Sequence, residues 1–284
     1  MPTQPTLDVA DAIEFGQLVN ATYATLPSDL RNKAGQALSA GGVDYTVVTT
    51  IYANDLATDM NPGRVDDEVS IGLICQVDQT GDVVIAIRGT EGILEWAHDA
   101  EFLQVPCPFL VGAGHTEDGF TDMYESLRTG SAPDSPTVVN ALPKLTFPKP
   151  AVSVTISGHS LGGALATLLA LDVAANTSFT DPAVYTYGSP RVGDSLFAST
   201  YDQVVKNSYR IANRIDIVPA LPPPFDYEHV LNPYELNPVR LVPLPPTILV
   251  KSTAACEHSL ATYLYLLSLQ SGGSVLPLEP ACRP

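Results

Sequence analysis

Residues 151–175 read AVSVTISGHSLGGALATLLALDVAA, and this stretch decides the fold. Val152, Val154 and Ile156 alternate with small polar residues, the period of a strand, over Ala151 to Ile156, and the pattern stops at Ser157-Gly158. From Leu161 to Ala175 the chain is dense in alanine and leucine, which favour helix. Between the two lies Gly158-His159-Ser160-Leu161-Gly162, a G-x-S-x-G arrangement in the strand-to-helix setting that gives the motif meaning. A sharp turn there lifts the serine hydroxyl above the strand end, and glycines two before and two after let helix and strand approach closely. The helix also aims its first N–H groups at the same point. Ser160 is therefore expected to be a nucleophile.

Working outward, the apolar run Val83 to Ile87 ends in Arg88-Gly89-Thr90 and reads as a central strand feeding a loop. Further strands are expected at Tyr45 to Tyr52, Val69 to Val77, Ala183 to Tyr187, Ser208 to Ala212 and Thr247 to Lys251. Helices are expected at Val9 to Thr25, Ser28 to Leu38, Glu117 to Arg128, Asp194 to Tyr201 and Ser259 to Leu269. The proline-rich interval Pro219 to Pro246 reads as irregular. Strands alternating with helices predict an α/β fold with a mainly parallel sheet covered on both faces. With no repeat and no linker, residues 1–284 read as one domain.

Fourteen basic residues against 31 acidic ones leave a net charge of −17. Such a surface repels phosphate backbones, which argues against nucleic acid partners and for a neutral substrate. No run of 18 apolar residues is present, so no transmembrane segment is expected. The first ten residues do not read as a signal peptide. Four cysteines allow three full pairings. Cys75, inside an apolar run, reads as a buried thiol, whereas Cys256 and Cys282 are expected to tie down the tail. That bridge suggests an oxidising, extracellular compartment, with a cytoplasmic one as the alternative. No cysteine or histidine spacing suggests zinc, and no metal or cofactor is expected.

A serine hydroxyl needs a base, and in a strand–turn–helix hydrolase the chain order is serine, acid, histidine. Of the five histidines, only His229 and His258 follow Ser160. His258 is expected to follow a strand and open a helix, where active residues gather, while His229 is assigned structural hydrogen bonds. Among the intervening acids, Asp216 follows the strand Ser208 to Ala212 and is flanked by Ile215, Ile217 and Val218. That predicts the half-buried carboxylate an imidazole-orienting acid requires. Asp194 is expected to cap the helix it precedes.

Taken together these residues resemble the class 3, fungal-type lipase family of the α/β-hydrolase superfamily. The resemblance runs from about Val69 to Leu266, through Ile87-Arg88-Gly89-Thr90, Glu95-Trp96, Gly119-Phe120, the Ser160 block, Tyr187-Gly188-Ser189-Pro190-Arg191-Val192-Gly193 and Asp216-Ile217-Val218-Pro219. It implies a Ser160, Asp216, His258 triad and an oxyanion hole from Thr90 and the N–H of Leu161. It also implies a short lid over residues 91–99, with Ile93, Leu94 and Trp96 meeting the acyl chain. The expected activity is hydrolysis of neutral carboxylic esters or lipids at a lipid–water interface, most simply triacylglycerol. Short-chain carboxylesterase, feruloyl esterase and phospholipase A1 are the alternatives within that chemistry. A non-catalytic lipid-binding or scaffold protein is the alternative outside it. The oligomeric state is not legible.

Overall fold

The computed structural model describes residues 6–24, 34–54, 68–90, 101–132, 134–231, 233–238 and 250–283. Its frame is one eight-stranded sheet in the order β1-β2-β3-β4-β7-β8-β9-β10. The strands are β1 (Ala37–Ala40), β2 (Val43–Asn54), β3 (Glu68–Val77), β4 (Val83–Ile87), β7 (Val154–His159), β8 (Ala183–Tyr187), β9 (Asn207–Asn213) and β10 (Pro233–Leu236). β1 to β4 pair antiparallel, and β4, β7, β8, β9 and β10 run parallel. β5 (Gln104–Pro106) and β6 (His115–Glu117) form a separate antiparallel pair.

Helices cover both faces: α1 (Val9–Ala24), α2 (Asp118–Glu125), α3 (Val138–Ala141), α4 (Leu161–Asn176), α5 (Ser195–Val204), α6 (Ala254–His258) and α7 (Leu260–Ser271). The side-chain alternation of β4 sorts its residues between two cores. Val83, Ile85 and Ile87 enter the core under α2, α4 and α5, with Phe120, Leu165 and Phe197. Val84 and Ala86 enter the other, with Leu18 of α1 and Leu267 of α7. α4 is apolar all round because it is buried on nearly every side, as such a helix must be. Each fully buried leucine there contributes about 2 kcal/mol over an exposed one.

Four expectations are corrected. Within the helix expected over Ser28 to Leu38, residues 28–33 lie outside the described residues, and Ala37 and Leu38 belong to edge strand β1, where pairing with β2 overrides their helix propensity. The proline-rich interval holds β10, parallel to β9, which Pro233 can open because a strand's first residue need not donate. In the strand expected over Thr247 to Lys251, residues 247–249 lie outside the described residues, and Val250 and Lys251 are not in a strand. β7 also begins three residues later than the alternation of its valines predicts and runs on to His159.

Candidate active site

The carboxyl ends of β4, β7, β8 and β9 converge, as ligand sites in open parallel sheets do. Ser160 follows β7 directly with φ 61° and ψ −129°, a conformation costing on the order of 1–3 kcal/mol for a residue with a Cβ. Its neighbours enforce the turn. A Cβ on Gly158 would lie 2.1 Å from the carbonyl oxygen of Gly162, and one on Gly162 would lie 2.4 Å from that of Ile87. The strand-exit turn after β4 presses on the same point, since a Cβ on Gly89 would sit 2.7 Å from Cβ of Ser160.

His258 Nε2 is 2.7 Å from Ser160 Oγ, and His258 Nδ1 is 2.7 Å from Asp216 Oδ2. A carboxylate only accepts, so Nδ1 carries the proton and Nε2 is left to accept from the serine hydroxyl. Asp216 is turned into place after β9, its N–H donating to Asn213 at 3.0 Å. Its Oδ1 accepts from Val218 N–H at 3.0 Å, and its Oδ2 accepts also from Tyr263 O–H at 2.7 Å. Burial and the Asp216 charge hold the Tyr263 phenol well above its ordinary range, so it remains a donor. Ser160, Asp216 and His258 are 1%, 7% and 7% exposed, which shields the relay from bulk water. The structure thus brings the three residues into one line, an arrangement that fits a serine hydrolase triad. His258, however, is the last residue of α6 and stands between two helices, not between a strand and a helix as expected.

Ser160, His258 and Thr90 line one cavity of about 290 Å³. Leu161 is the first residue of α4, where a helix leaves its N–H without an intrahelical acceptor. Ile93, Leu94 and Trp96, with the whole segment 91–99, lie outside the described residues. Among the described residues no cluster of metal-ligating side chains occurs, and no helix is long and apolar enough to cross a membrane.

Among the described residues the remaining histidines are His229, His115 and His159, and His159 is the exception in touching the relay. His229 donates to the carbonyl of Pro219 at 2.6 Å, and burial pushes it down to about 3, so it is neutral and structural. His115 pairs with Asp194, which caps α5 through Phe197 N–H. The Nε2 of His159 lies 2.8 Å from the backbone carbonyl of His258, its Nδ1 lies 2.8 Å from Tyr23 Oη, and Tyr23 Oη accepts from Gly89 N–H at 2.7 Å. Neither Tyr23 nor Tyr263 was legible as a site residue; nothing in local spacing links α1 or the middle of α7 to a serine far along the chain. A larger cavity of about 660 Å³, lined by Arg191, Arg210 and His229, contains none of the three relay residues.

Comparisons with known proteins agree with this geometry. The family described as "Lipase (class 3)" matches residues 84–225. The chain is 33% identical over 158 residues to a secreted mono- and diacylglycerol lipase 1 of Fusarium solani, covering 55% of this chain and 44% of that protein. The alignment thus spans less than half of that relative's length. It is 26% identical over 326 residues to phospholipase A1-II 7 of Oryza sativa subsp. indica, covering 94% of this chain and 79% of that protein. Among solved structures, the Rhizomucor miehei triacylglyceride lipase superposes with a TM-score of 0.61 at 25% identity, covering 80% of each chain.

Proposed function

From the premise that the chain belongs to the class 3 lipase family, we propose that it hydrolyses neutral lipid esters, triacylglycerol above all, through an acyl-enzyme on Ser160. The observation that carries this reading is the continuous relay from Ser160 Oγ through His258 to Asp216, with both links at 2.7 Å. His258 takes the proton of Ser160 as the hydroxyl adds to the ester carbonyl, then returns it to the leaving alcohol. Asp216 holds the ring in the Nδ1–H tautomer and balances the imidazolium as it forms. The N–H of Leu161 and the backbone and hydroxyl of Thr90 are assigned to the oxyanion, where each such donor is worth about 10²–10³ in kcat. Water on the same base then releases the acid.

The rice relative, a phospholipase A1-II, supports phospholipase A1 as the second reading. The lid assignment to residues 91–99 stands as part of this proposal, on the family resemblance alone. One sheet draws strands from residue 37 to residue 236 and is covered by helices from both ends of the chain, which supports a single domain. The Cys256–Cys282 disulfide and the likeness to the secreted Fusarium lipase support an extracellular setting. The test is an acyl-chain-length series of p-nitrophenyl esters with emulsified triacylglycerol, using Ser160→Ala as control. The expected result is turnover of triacylglycerol that the variant lowers by about 10⁴-fold or more. Hydrolysis no faster than that of the variant overturns the reading.

A further inference from the structure

The catalytic cavity has a wall from an unexpected part of the chain. Glu279, near the C-terminal end, lines it beside Ser160, Thr90 and His258. Two ties hold it there. Its Oε1 accepts from Ser259 O–H at 2.8 Å, and Ser259 directly follows the base. The Cys256–Cys282 disulfide joins the tail three residues beyond Glu279 to α6, whose last residue is His258. The tail also closes a turn by Cys282 N–H donating to the Glu279 carbonyl at 2.9 Å, and Lys251 N–H donates to the Cys282 carbonyl at 3.0 Å. The carboxylate is thus anchored to the helix that carries the base, although Glu279 itself is exposed.

The charge balance of this wall is one-sided. Among the described lining residues Glu279 is the only carboxylate, and none is lysine or arginine. His159, which also lines the cavity, is held neutral by burial and by the neighbouring His258. Among the described lining residues, a phosphodiester on the glycerol of a bound ester would meet one negative charge and no lysine or arginine.

We infer that Glu279 is a specificity-determining residue that selects uncharged glycerides and disfavours glycerol esters bearing an anionic phosphodiester. The inference rests on the proposed attack of Ser160 on ester carbonyls in this cavity and names the substrate class of that same site. Glu279 touches no atom that reacts, so its effect falls on the choice between substrates. At separations of several ångströms and near-aqueous screening, one charge pair changes relative rates by about three- to tenfold.

The test compares tributyrin with dihexanoyl phosphatidylglycerol, both dissolved below their aggregation limits, so that repulsion between the acidic protein and a charged interface plays no part. The readout is the ratio of kcat/KM for the phospholipid to that for tributyrin. Glu279→Gln, which keeps the acceptor for Ser259, is expected to raise the ratio about three- to tenfold, and Glu279→Lys to raise it further, both effects shrinking with added salt. Asp181→Asn removes the same net charge from an exposed loop before β8, at the opposite end of the sheet, and is expected to leave the ratio where it was. A ratio unchanged in both Glu279 variants, in a chain that cleaves tributyrin, overturns the inference alone. An equal rise in Asp181→Asn overturns it as well, by making the effect global. A wild-type protein that cleaves phosphatidylglycerol faster than tributyrin overturns both the inference and the neutral-ester reading.

Discussion

The imidazole of His159 donates through Nε2 to the backbone carbonyl of His258, 2.8 Å away, with the two rings' centroids 4.8 Å apart. A carbonyl cannot donate, so Nε2 carries the proton and Nδ1 accepts from Tyr23 O–H. Because Tyr23 accepts in turn from Gly89 N–H, one chain of hydrogen bonds runs from the turn that carries Thr90 to the backbone of the base. The residue beside the nucleophile therefore positions the histidine opposite it.

That relationship makes a prediction about side-chain length. Glutamine can place its amide N–H where Nε2 stands, whereas asparagine is too short to reach. His159→Asn is expected to lower kcat about ten- to hundredfold, the cost of an ångström-scale misplacement of a catalytic group, with a smaller change in KM. His159→Gln is expected to recover most of the loss. Steady-state kinetics on a soluble ester check both; equal losses in the two variants would assign His159 to packing. Burial, with His258 beside it, holds His159 well below 6.5, so it stays uncharged across the working range. Titration followed by NMR should show no protonation of its ring above pH 6.

Tyr263 shares Asp216 Oδ2 with His258 and accepts from Asn213 N–H at 3.0 Å. Tyr263→Phe removes both bonds and leaves the buried Asn213 N–H without this partner. Stability is expected to fall by about 1–3 kcal/mol, measured by denaturant unfolding. Activity is expected to fall as well, because Asp216 loses one of the donors that fix it. A variant as stable as the wild type would show that the phenol packs without bonding.

Much of this site was legible, and the reasons differ by residue. Ser160 was readable because its conformation demands small neighbours: Gly158 and Gly162 leave a mark that any strand–turn–helix nucleophile must leave. Asp216 was readable because a strand precedes it and apolar residues flank it. His258 was found by chain order, yet its surroundings were misjudged, since the weak apolar run at Thr247 to Lys251 resembles a strand. Tyr23, His159, Tyr263 and Glu279 act through partners remote in sequence, and only the folded sheet brings them together. β1 and β10 were missed for a related reason: both are short edge strands whose pairing, not propensity, makes them strands.

Glu117 gives a prediction about pH. It caps α2 by accepting from Phe120 N–H at 2.7 Å, yet burial raises its carboxyl from 4.5 to about 7, with Asp118 and Asp122 adding to the rise. Between those values the folded protein holds a proton that the unfolded chain has released. The group's contribution to stability is therefore full below about pH 4.5 and is lost as pH rises towards 7. Glu117→Gln keeps the capping acceptor without the titration. Relative to the wild type, the variant is expected to gain on the order of 3 kcal/mol between pH 4.5 and pH 8, read from unfolding curves across that range. A constant difference between the two proteins would contradict it.

The central claim is that one buried serine is activated by one histidine and one aspartate. Covalent labelling with a fluorophosphonate, followed by peptide mass spectrometry, tests it most directly. The expected result is a single stoichiometric adduct on Ser160, absent in Ser160→Ala and formed about 10³- to 10⁴-fold more slowly in His258→Ala and Asp216→Asn. A native protein that takes up no label, or carries it on another residue, would contradict the account.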